Sequence, residues 1–299
     1  MPRTLLAGNQ VLDGSIQRQD LDVTNAGFAV IRKVLPGSGI TLMSSGVDQG
    51  TGDVTIATDA TAWTANWLPI GNAVTAPTVN GIVAPTVLGT ATARNVATTN
   101  NATAQKRLGH VSAATAGAFA GHFFPAGAQQ YMLGNATFGG FKWICRFAVS
   151  DAAAVAGARQ FIGMRNIVTT PTNVEPNTLT NSFGIAQLST DATQWYIVYG
   201  GSAAQAAIPL GTGLGAPTLV NAAFELSLSA PKSSNNIVNY SVTNLSNNVT
   251  VAGQLTGVSG TVLPLPSALL APIAWRCNNA TLLAVGLDIC SHFFKNSEI

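Results

Sequence analysis

The fold is indicated most clearly by residues 224–229, FELSLS, together with residues 238–243, VNYSVT. In both stretches apolar residues alternate with polar ones, which is the pattern of a strand that turns one face to a core and the other to water. Less regular alternation is found in further segments: residues 142–149, 183–188, 249–255 and 282–293. Clusters of Gly, Asn, Ser or Pro separate nearly all of these segments, as is typical of turns. The sequence therefore predicts an all-β fold.

The spacing of these segments favours a β-sandwich over a parallel α/β sheet. No regular amphipathic helix of about 10 to 15 residues intervenes between them, as a parallel sheet would require. We therefore expect a jelly-roll or lectin-like sandwich over residues 84–299. One helical turn is predicted at residues 151–155, DAAAV, with Asp151 as the N-cap.

Upstream of the sandwich, a β-hairpin is predicted. Residues 40–42, ITL, and residues 54–56, VTI, flank the Gly-rich loop at residues 44–53. An isolated hairpin is only marginally stable in water. Its apolar side therefore needs a partner, which three copies of the same chain could supply.

The segment before the hairpin has an interrupted apolar pattern and is predicted to form short helical or extended pieces. Its apolar positions are too few and too scattered for an independent core, so we expect residues 1–35 to become ordered against another protein. The candidate attachment residues are Ile16, Leu21, Phe28, Val30 and Ile31. The predicted organisation is an attachment segment and hairpin at residues 1–59, a connector at residues 60–83, and the sandwich at residues 84–299.

Charge is scarce and nearly balanced. Charged residues make up 9% of the chain and the formal net charge is +2, whereas an average domain is roughly 25% charged. This disfavours nucleic-acid binding through bulk charge. A surface of Ala, Thr, Ser, Asn and Gly also suggests that much of it faces other chains in an assembly, because burying charge is costly.

Membrane insertion is disfavoured by the lengths of the apolar stretches. None approaches the roughly 20 residues that span a bilayer, and the longest candidate, residues 261–275, is interrupted by Pro264, Pro266 and Pro272. The N-terminal residues lack the long apolar region of a secretory signal. We therefore expect synthesis in a cytoplasm.

The sequence contains no pattern that indicates a cofactor or a metal. Cysteines Cys145, Cys277 and Cys290 lack CxxC spacing and are predicted to be small buried apolar residues. Histidines His110, His122 and His292 lack the spacing of metal ligands and are expected to be ordinary surface or half-buried residues. A dinucleotide-binding loop and a P-loop are absent from the sequence.

Catalysis is also not indicated, so the chain is predicted not to be an enzyme. A glycosidase needs two carboxylates that flank the bond. Glu225 and Asp288 lie in predicted strands and could face each other, but ion pairing is the commoner role of such residues. Trp195 and Tyr199 share one face of a predicted strand and could stack on sugar, although a place in the core is favoured because both faces are apolar. For Trp275 the sequence favours neither a place in the core nor a sugar-stacking role.

The N-terminal region carries a family resemblance. Residues 37–57, GSGITLMSSGVDQGTGDVTIA, resemble the GSGIxLxSxGxxxGTGDVTI segment of bacteriophage tail fibre and tail spike proteins. Residues 12–21, LDGSIQRQDL, are similar to the DGSIxxxDL stretch of the same proteins. Further segments resemble the β-sandwich fibre domain that often follows: residues 107–117, 139–141, 158–163 and 181–186.

The resemblance implies a homotrimeric virion protein that is made in the host cytoplasm. Its N-terminus would be held by other virion proteins of the baseplate, tail, capsid or collar, and its distal sandwich would contact a host surface glycan or protein. Loops at residues 170–181, 211–217 and 233–236 are the expected contact regions. A purely structural capsid or collar fibre is the alternative. A polysaccharide depolymerase is a weaker one, because the long repeated β-helix and acidic cluster of enzymatic spikes are missing.

Overall fold

Strands account for most of the regular structure in the computed structural model of this chain. It describes residues 40–42, 56–58, 64–67, 85–96, 106–125, 131–152, 154–218, 222–232 and 236–296. The chain divides into two units, Met1–Thr61 and Ala62–Ile299. The functional division at residues 59 and 83 stays a prediction.

The first unit contains the expected hairpin. Strand β1 (Ile40–Leu42) pairs in antiparallel fashion with β2 (Ile56–Thr58), and Leu42 lies opposite Ile56. Ile56 of the predicted second strand is thus in β2, and the other two predicted residues lie outside the described part of the chain. The helical or extended pieces expected at residues 1–35 lie outside the described residues.

The second unit is a sandwich of two antiparallel sheets, which confirms the all-β prediction for the described part of the chain. Its strands are β3 (Thr64–Trp67), β4 (Thr86–Leu88), β5 (Thr90–Arg94), β6 (Arg107–Val111), β7 (Phe119–Phe123), β8 (Phe141–Val149), β9 (Arg159–Arg165), β10 (Ser182–Leu188), β11 (Asp191–Gly200), β12 (Ile208–Pro209), β13 (Ala223–Ala230), β14 (Ile237–Asn244), β15 (Val249–Thr256), β16 (Ala271–Cys277) and β17 (Gly286–Asn296).

One sheet has seven strands in the order β12-β11-β10-β9-β16-β7-β4. The eight-stranded sheet has the order β15-β14-β13-β8-β17-β6-β5. Strand β3 is its eighth strand and pairs with β17, in addition to the two neighbours that β17 has in this order. Strand β3 comes from the predicted connector, so residues 64–67 are part of the sandwich sheet. Two short 3-10 helices, Pro176–Thr178 and Thr212–Leu214, lie in the connections.

Strand β13 shows how the alternating sequence is used. Leu226 is fully buried and lies opposite Val242 of β14, which is also fully buried. The next residue, Ser227, lies opposite Ser241, and both are partly exposed on the other face of the sheet. The apolar face of β13 thus meets the seven-stranded sheet, while the hydroxyl face needs no partner within the core.

A large core fills the space between the two sheets. Three buried aromatic rings illustrate the packing: Phe147 stacks on Phe224, and Trp195 meets both edge-on. Phe147 and Phe224 belong to the eight-stranded sheet and Trp195 to the seven-stranded sheet. Burial of such aromatic side chains is a large stabilising contribution of the interface between sheets.

The seven-stranded sheet also has a covered outer face. Ile162 and Met164 of β9 belong to the core between the sheets, which makes the face that carries Phe161 the outer one. Phe161 and Trp275 are fully buried there in a second apolar cluster that also includes Leu179. Leu179 lies in the connection from β9 to β10, so part of this connection covers the outer face.

The helical turn predicted at residues 151–155 is wrong: the described residues of that stretch form none. The Asp151 carboxylate instead accepts hydrogen bonds from the Arg276 guanidinium, the shortest at 2.5 Å, and from the Gly286 N–H at 2.7 Å. Because Asp151 follows β8 and Arg276 lies in β16, this buried ion pair connects the two sheets. The ion pair and the strand ends outweigh the helix propensity of the alanines.

Within the described residues, no helix is long and apolar enough to cross a membrane.

Candidate ligand-binding site

The residues predicted for attachment lie outside the described part of the chain: Ile16, Leu21, Phe28, Val30 and Ile31. Of the three loops predicted for receptor contact, residues 170–181 and 211–217 are described, and Asn236 is the described residue of the third.

The structure does not bring these three loops together. The loop at residues 211–217 leads into the start of β13, where the Asn244 side chain donates a hydrogen bond of 2.8 Å to the Leu214 carbonyl. Asn236 follows the opposite end of β13 and donates to the Gly257 carbonyl at 3.3 Å. A single ligand therefore does not contact all three loops in one small site.

The loop at residues 170–181 is firmly attached to the seven-stranded sheet. Glu175 pairs with Arg159 at 2.8 Å and also accepts hydrogen bonds from the N–H and the hydroxyl of Ser189. Burial alone would raise the pKa of Glu175, but the bonds from Ser189 and Arg159 outweigh it and lower the pKa. This part of the loop is stabilised by its own contacts.

Arg165, at the end of β9, differs from the other described arginines. It follows Phe161 and Gly163 at steps of two, which places it on the outer face of the seven-stranded sheet. It lies directly opposite Ser182 of β10, so the two side chains share that face. Arg165 is half-buried and Ser182 is fully buried.

Two polar atoms of this pair lack hydrogen-bond partners among the described residues: the Arg165 Nε and the Ser182 Oγ, both buried. Burial lowers the pKa of Arg165. A buried polar atom without a partner loses the hydrogen bond that water would have given it. The end of β9 therefore has unused capacity to donate hydrogen bonds.

The remaining described arginines all have carboxylate partners. They are Arg94 and Arg107 with Asp288, Arg146 with Glu225, Arg159 with Glu175, and Arg276 with Asp151. Asp191 accepts bonds from Thr193, Gln194 and Tyr196, which hold the pKa of this exposed carboxyl below its usual range. Each described carboxylate is thus engaged elsewhere, and none pairs with Arg165.

Exposed apolar residues adjoin this end of β9 and of β16 in the chain, and we call them the apolar rim. The apolar rim consists of Ile167 and Leu269. Ile167 follows Arg165 by two residues, and the Asn166 side chain donates to the Leu269 carbonyl at 2.9 Å. Leu269 in turn precedes Ala271, which lies opposite Arg165 in β16. Exposed apolar residues therefore lie close to Arg165 along β9 and β16.

The histidines contradict the sequence-based expectation. His110, His122 and His292 are fully buried, although they were expected to be surface or half-buried residues. The His110 and His122 rings are 5.1 Å apart between centroids, and the Nε2 atoms of His122 and His292 are 2.8 Å apart. His122 belongs to the seven-stranded sheet and the other two to the eight-stranded sheet, so the cluster lies between the sheets.

Hydrogen bonds assign the protons of this cluster. Trp143 Nε1 can only donate, so His292 Nδ1 accepts its bond of 3.2 Å. The proton of neutral His292 is then on Nε2, where it is donated to His122. Burial lowers the pKa of His292 to about 3 and that of His110 to about 4, and it lowers the pKa of His122 well below its usual value. The cluster is a neutral part of the core at pH 7.

The other residues that the sequence offered as candidates have structural roles. Trp195 and Trp275 are fully buried, and Tyr199 packs partly buried against the core, so the core interpretation of Trp195 is confirmed. The three cysteines are free and buried, as predicted. Glu225 and Asp288 are each held by arginine and do not face each other as a free pair. In the described part of the chain, no group of three or more His, Cys, Asp or Glu residues is arranged to hold a metal ion.

Sequence reasoning missed both Arg165 and the histidine cluster. The alternation of residues 159–165, RQFIGMR, was sufficient to place both arginines of β9 on one face. It was not sufficient to show that, among the described residues, Arg159 has a carboxylate partner and Arg165 has none, because Glu175 and Ser182 reach β9 through the long connection that follows it.

The sequence matches no protein-family model and no curated protein. Among solved structures, peanut lectin with a bound nonapeptide superposes with a TM-score of 0.50 at 12% identity, over 80% of this chain and 99% of the lectin. Arcelin-5, a lectin-like defense protein from Phaseolus vulgaris, has a TM-score of 0.49 at 9% identity, over 80% of this chain and all of that chain. A protein of unknown function from Shewanella oneidensis MR-1 has a TM-score of 0.46 at 17% identity, over 89% and 97%.

At this identity the likeness to peanut lectin concerns the fold alone. The chain has a lectin-like β-sandwich fold.

Proposed function

We propose that this chain is the subunit of a homotrimeric bacteriophage tail fibre whose sandwich binds a glycan on the host surface. Two features support the proposal. Residues 12–21 and 37–57 resemble the N-terminal part of tail fibre and tail spike proteins. The second unit has the lectin-like fold, and lectins are carbohydrate-binding proteins.

The observation that carries the proposal is the lectin-like sandwich in the same chain as a fibre-like N-terminal stretch. A fold alone does not define a function, but a fibre needs a distal domain with an adaptable loop surface. The Arg165 site and the apolar rim provide polar and apolar contacts at one end of the sandwich. Residues 1–35 would attach the fibre to another virion protein.

Trimer formation follows from the charge pattern and from the hairpin. The long segments without charge, residues 192–224 and 233–275, suit faces that are buried between copies. Cyclic symmetry lets identical apolar faces cover one another. Sedimentation of the full chain at micromolar concentration is expected to give three times the monomer mass of 30.6 kDa. A stable monomer would contradict the trimer.

Receptor binding is tested with the purified full chain and intact host cells. The labelled protein is expected to bind the cells saturably, to block infection, and to lose binding after periodate oxidation of surface glycans. Antibodies against the sandwich should label the ends of fibres on the particle. Labelling of particles without any binding to cells would favour the purely structural capsid or collar fibre, and a clearing zone on a host lawn would favour the depolymerase.

A further inference from the structure

We propose that Arg165 and Ser182 form the binding site for an oxyanion on the ligand, namely the carboxylate, sulfate or phosphate of an acidic sugar. This rests on the proposed glycan-binding function and names the chemical class of the glycan. Arg165 is the residue that contacts the anion, and Ser182 is the hydroxyl beside it on the same face of β10.

Arg165 has no carboxylate partner among the described residues. Arg165 is half-buried with an unpaired Nε, whereas each other described arginine is paired with a carboxylate. The described carboxylates are all engaged elsewhere, and Asp191 begins β11 at the end of the sheet opposite to Arg165. An anion at Arg165 must therefore come from outside the described part of the chain.

Guanidinium chemistry selects the ligand. Its planar fork of N–H groups matches two oxygens of a carboxylate, sulfate or phosphate. The buried Ser182 hydroxyl, which has no partner among the described residues, lies on the same face of the neighbouring strand. A neutral sugar has no group that compensates a buried positive charge equally well, so the site favours acidic glycans.

The apolar rim strengthens the site in two ways. Exposed Ile167 and Leu269 lie near Arg165 along β9 and β16, and Arg165 itself is half-buried, where charge interactions are stronger than in bulk water. Their apolar surface can also pack against the C–H groups of a sugar ring. Balanced charge elsewhere on the chain, +2 overall, means that binding depends on this one arginine and not on a general attraction for anions.

A purely structural role of Arg165 predicts a different outcome. If Arg165 served only the fold, its replacement would lower the melting temperature. Because the guanidinium is partly desolvated without a partner, Arg165→Met is expected to leave the melting temperature unchanged or raise it. Loss of anion binding without loss of stability identifies a ligand-binding residue.

The experiment uses the full chain and measures binding by calorimetry or biolayer interferometry. The probes are tetragalacturonic acid, its carboxyl-reduced neutral form, a sulfated dextran oligosaccharide and a mannose-6-phosphate-bearing oligosaccharide. The variants are Arg165→Met, Arg165→Lys and Ser182→Ala. The matched control is Arg146→Met, which removes one positive charge from the outer face of the other sheet.

Arg165→Met is expected to weaken binding of at least one anionic probe by roughly 10-fold to 100-fold. Arg165→Lys should retain an intermediate affinity, since an ammonium group keeps the charge but lacks the fork. The control should bind like the original protein. The probe that binds most tightly identifies the oxyanion.

Several results would overturn the proposal: equal binding by Arg165→Met and the original protein, the same loss in Arg146→Met, binding of the carboxyl-reduced probe as tight as that of the acid, or no binding of any anionic probe at millimolar concentration. Attachment to host cells is measured separately. Attachment that is unaffected by Arg165→Met would end this proposal and leave the receptor function intact. Anion binding through Arg165 without any attachment to host cells would support this proposal and contradict the receptor function.

Discussion

Arg276 and Arg165 lie on neighbouring strands of one sheet and have opposite surroundings. Arg276 is fully buried, and its guanidinium binds Asp151 at 2.5 Å, Gln160 at 3.0 Å and Gln187 at 2.5 Å. Arg165 has no carboxylate partner among the described residues. The comparison shows that this fold can satisfy a buried charge completely where the charge is structural. Arg165, by contrast, is the arginine that we propose pairs with a ligand.

Removal of Asp151, the carboxylate partner of Arg276, should have the largest effect on stability. Asp151→Ala leaves Arg276 as an unpaired charge between the sheets, and the free energy of unfolding is expected to fall by about 3–5 kcal/mol. Urea denaturation followed by tryptophan fluorescence measures this change. Glu225→Ala is the matched control, because the Arg146 that it releases is exposed, and it should cost at most about 1 kcal/mol. Similar losses for both variants would refute the difference between buried and exposed ion pairs.

The histidine cluster extends the comparison to buried polar groups that burial keeps neutral. The folded-state pKa of His110 is about 4 and lies below the unfolded value of 6.5, so the unfolded chain binds more protons between these values. The contribution of His110 to the free energy of unfolding should therefore be fully present above pH 6.5 and be lost as the pH decreases from 6.5 to 4. His110 alone accounts for a loss on the order of 3 kcal/mol.

His110→Asn isolates this contribution, because the asparagine amide can replace the Nδ1 that donates to the Leu287 carbonyl. Asp288 and Arg94 act on the charge of His110, and the His122 ring lies 5.1 Å from it; all three residues are present in both proteins. The difference between the two stability profiles is thus the quantity to measure. Parallel profiles from pH 7 to pH 4 would show that His110 does not resist protonation.

The smallest effect should come from an engineered partner for Arg165. Ser182→Asp places a carboxylate directly opposite Arg165 and makes the site resemble that of Arg276. A double-mutant cycle with Arg165→Met should give a favourable coupling of about 1 kcal/mol at pH 7, and the coupling should vanish in acid as the carboxyl is protonated. The variant should also lose anion binding. A coupling of zero at pH 7 would show that the two side chains do not meet.

Much of the fold follows from local patterns. Residues 224–229 and 238–243 are predicted as strands and lie within β13 and β14, because alternation alone determines which side chains can share a face. The hairpin at residues 40–58 was likewise visible in its hydroxyl and apolar alternation. The alanines of residues 151–155 misled the helix prediction because a distant arginine, Arg276, determines the conformation of Asp151.

The candidate site was not predictable in the same way. Arg159 and Arg165 occupy equivalent positions in the sequence pattern of β9, and only the path of the following connection gives one of them Glu175 and the other Ser182. The lectin-like sheet order, which sets which connections meet at one end, is also a property of pairings between distant strands.

By itself the sequence determined the all-β class, the strand faces, the buried cysteines and the scarcity of charge, since these depend on residue type and on a period of two. The tertiary structure decided which polar groups meet. It joined His110, His122 and His292 across two sheets and gave Arg165 no carboxylate among the described residues. Local periodicity specifies the direction of a side chain, whereas its partner is specified by strands that are far apart in the chain.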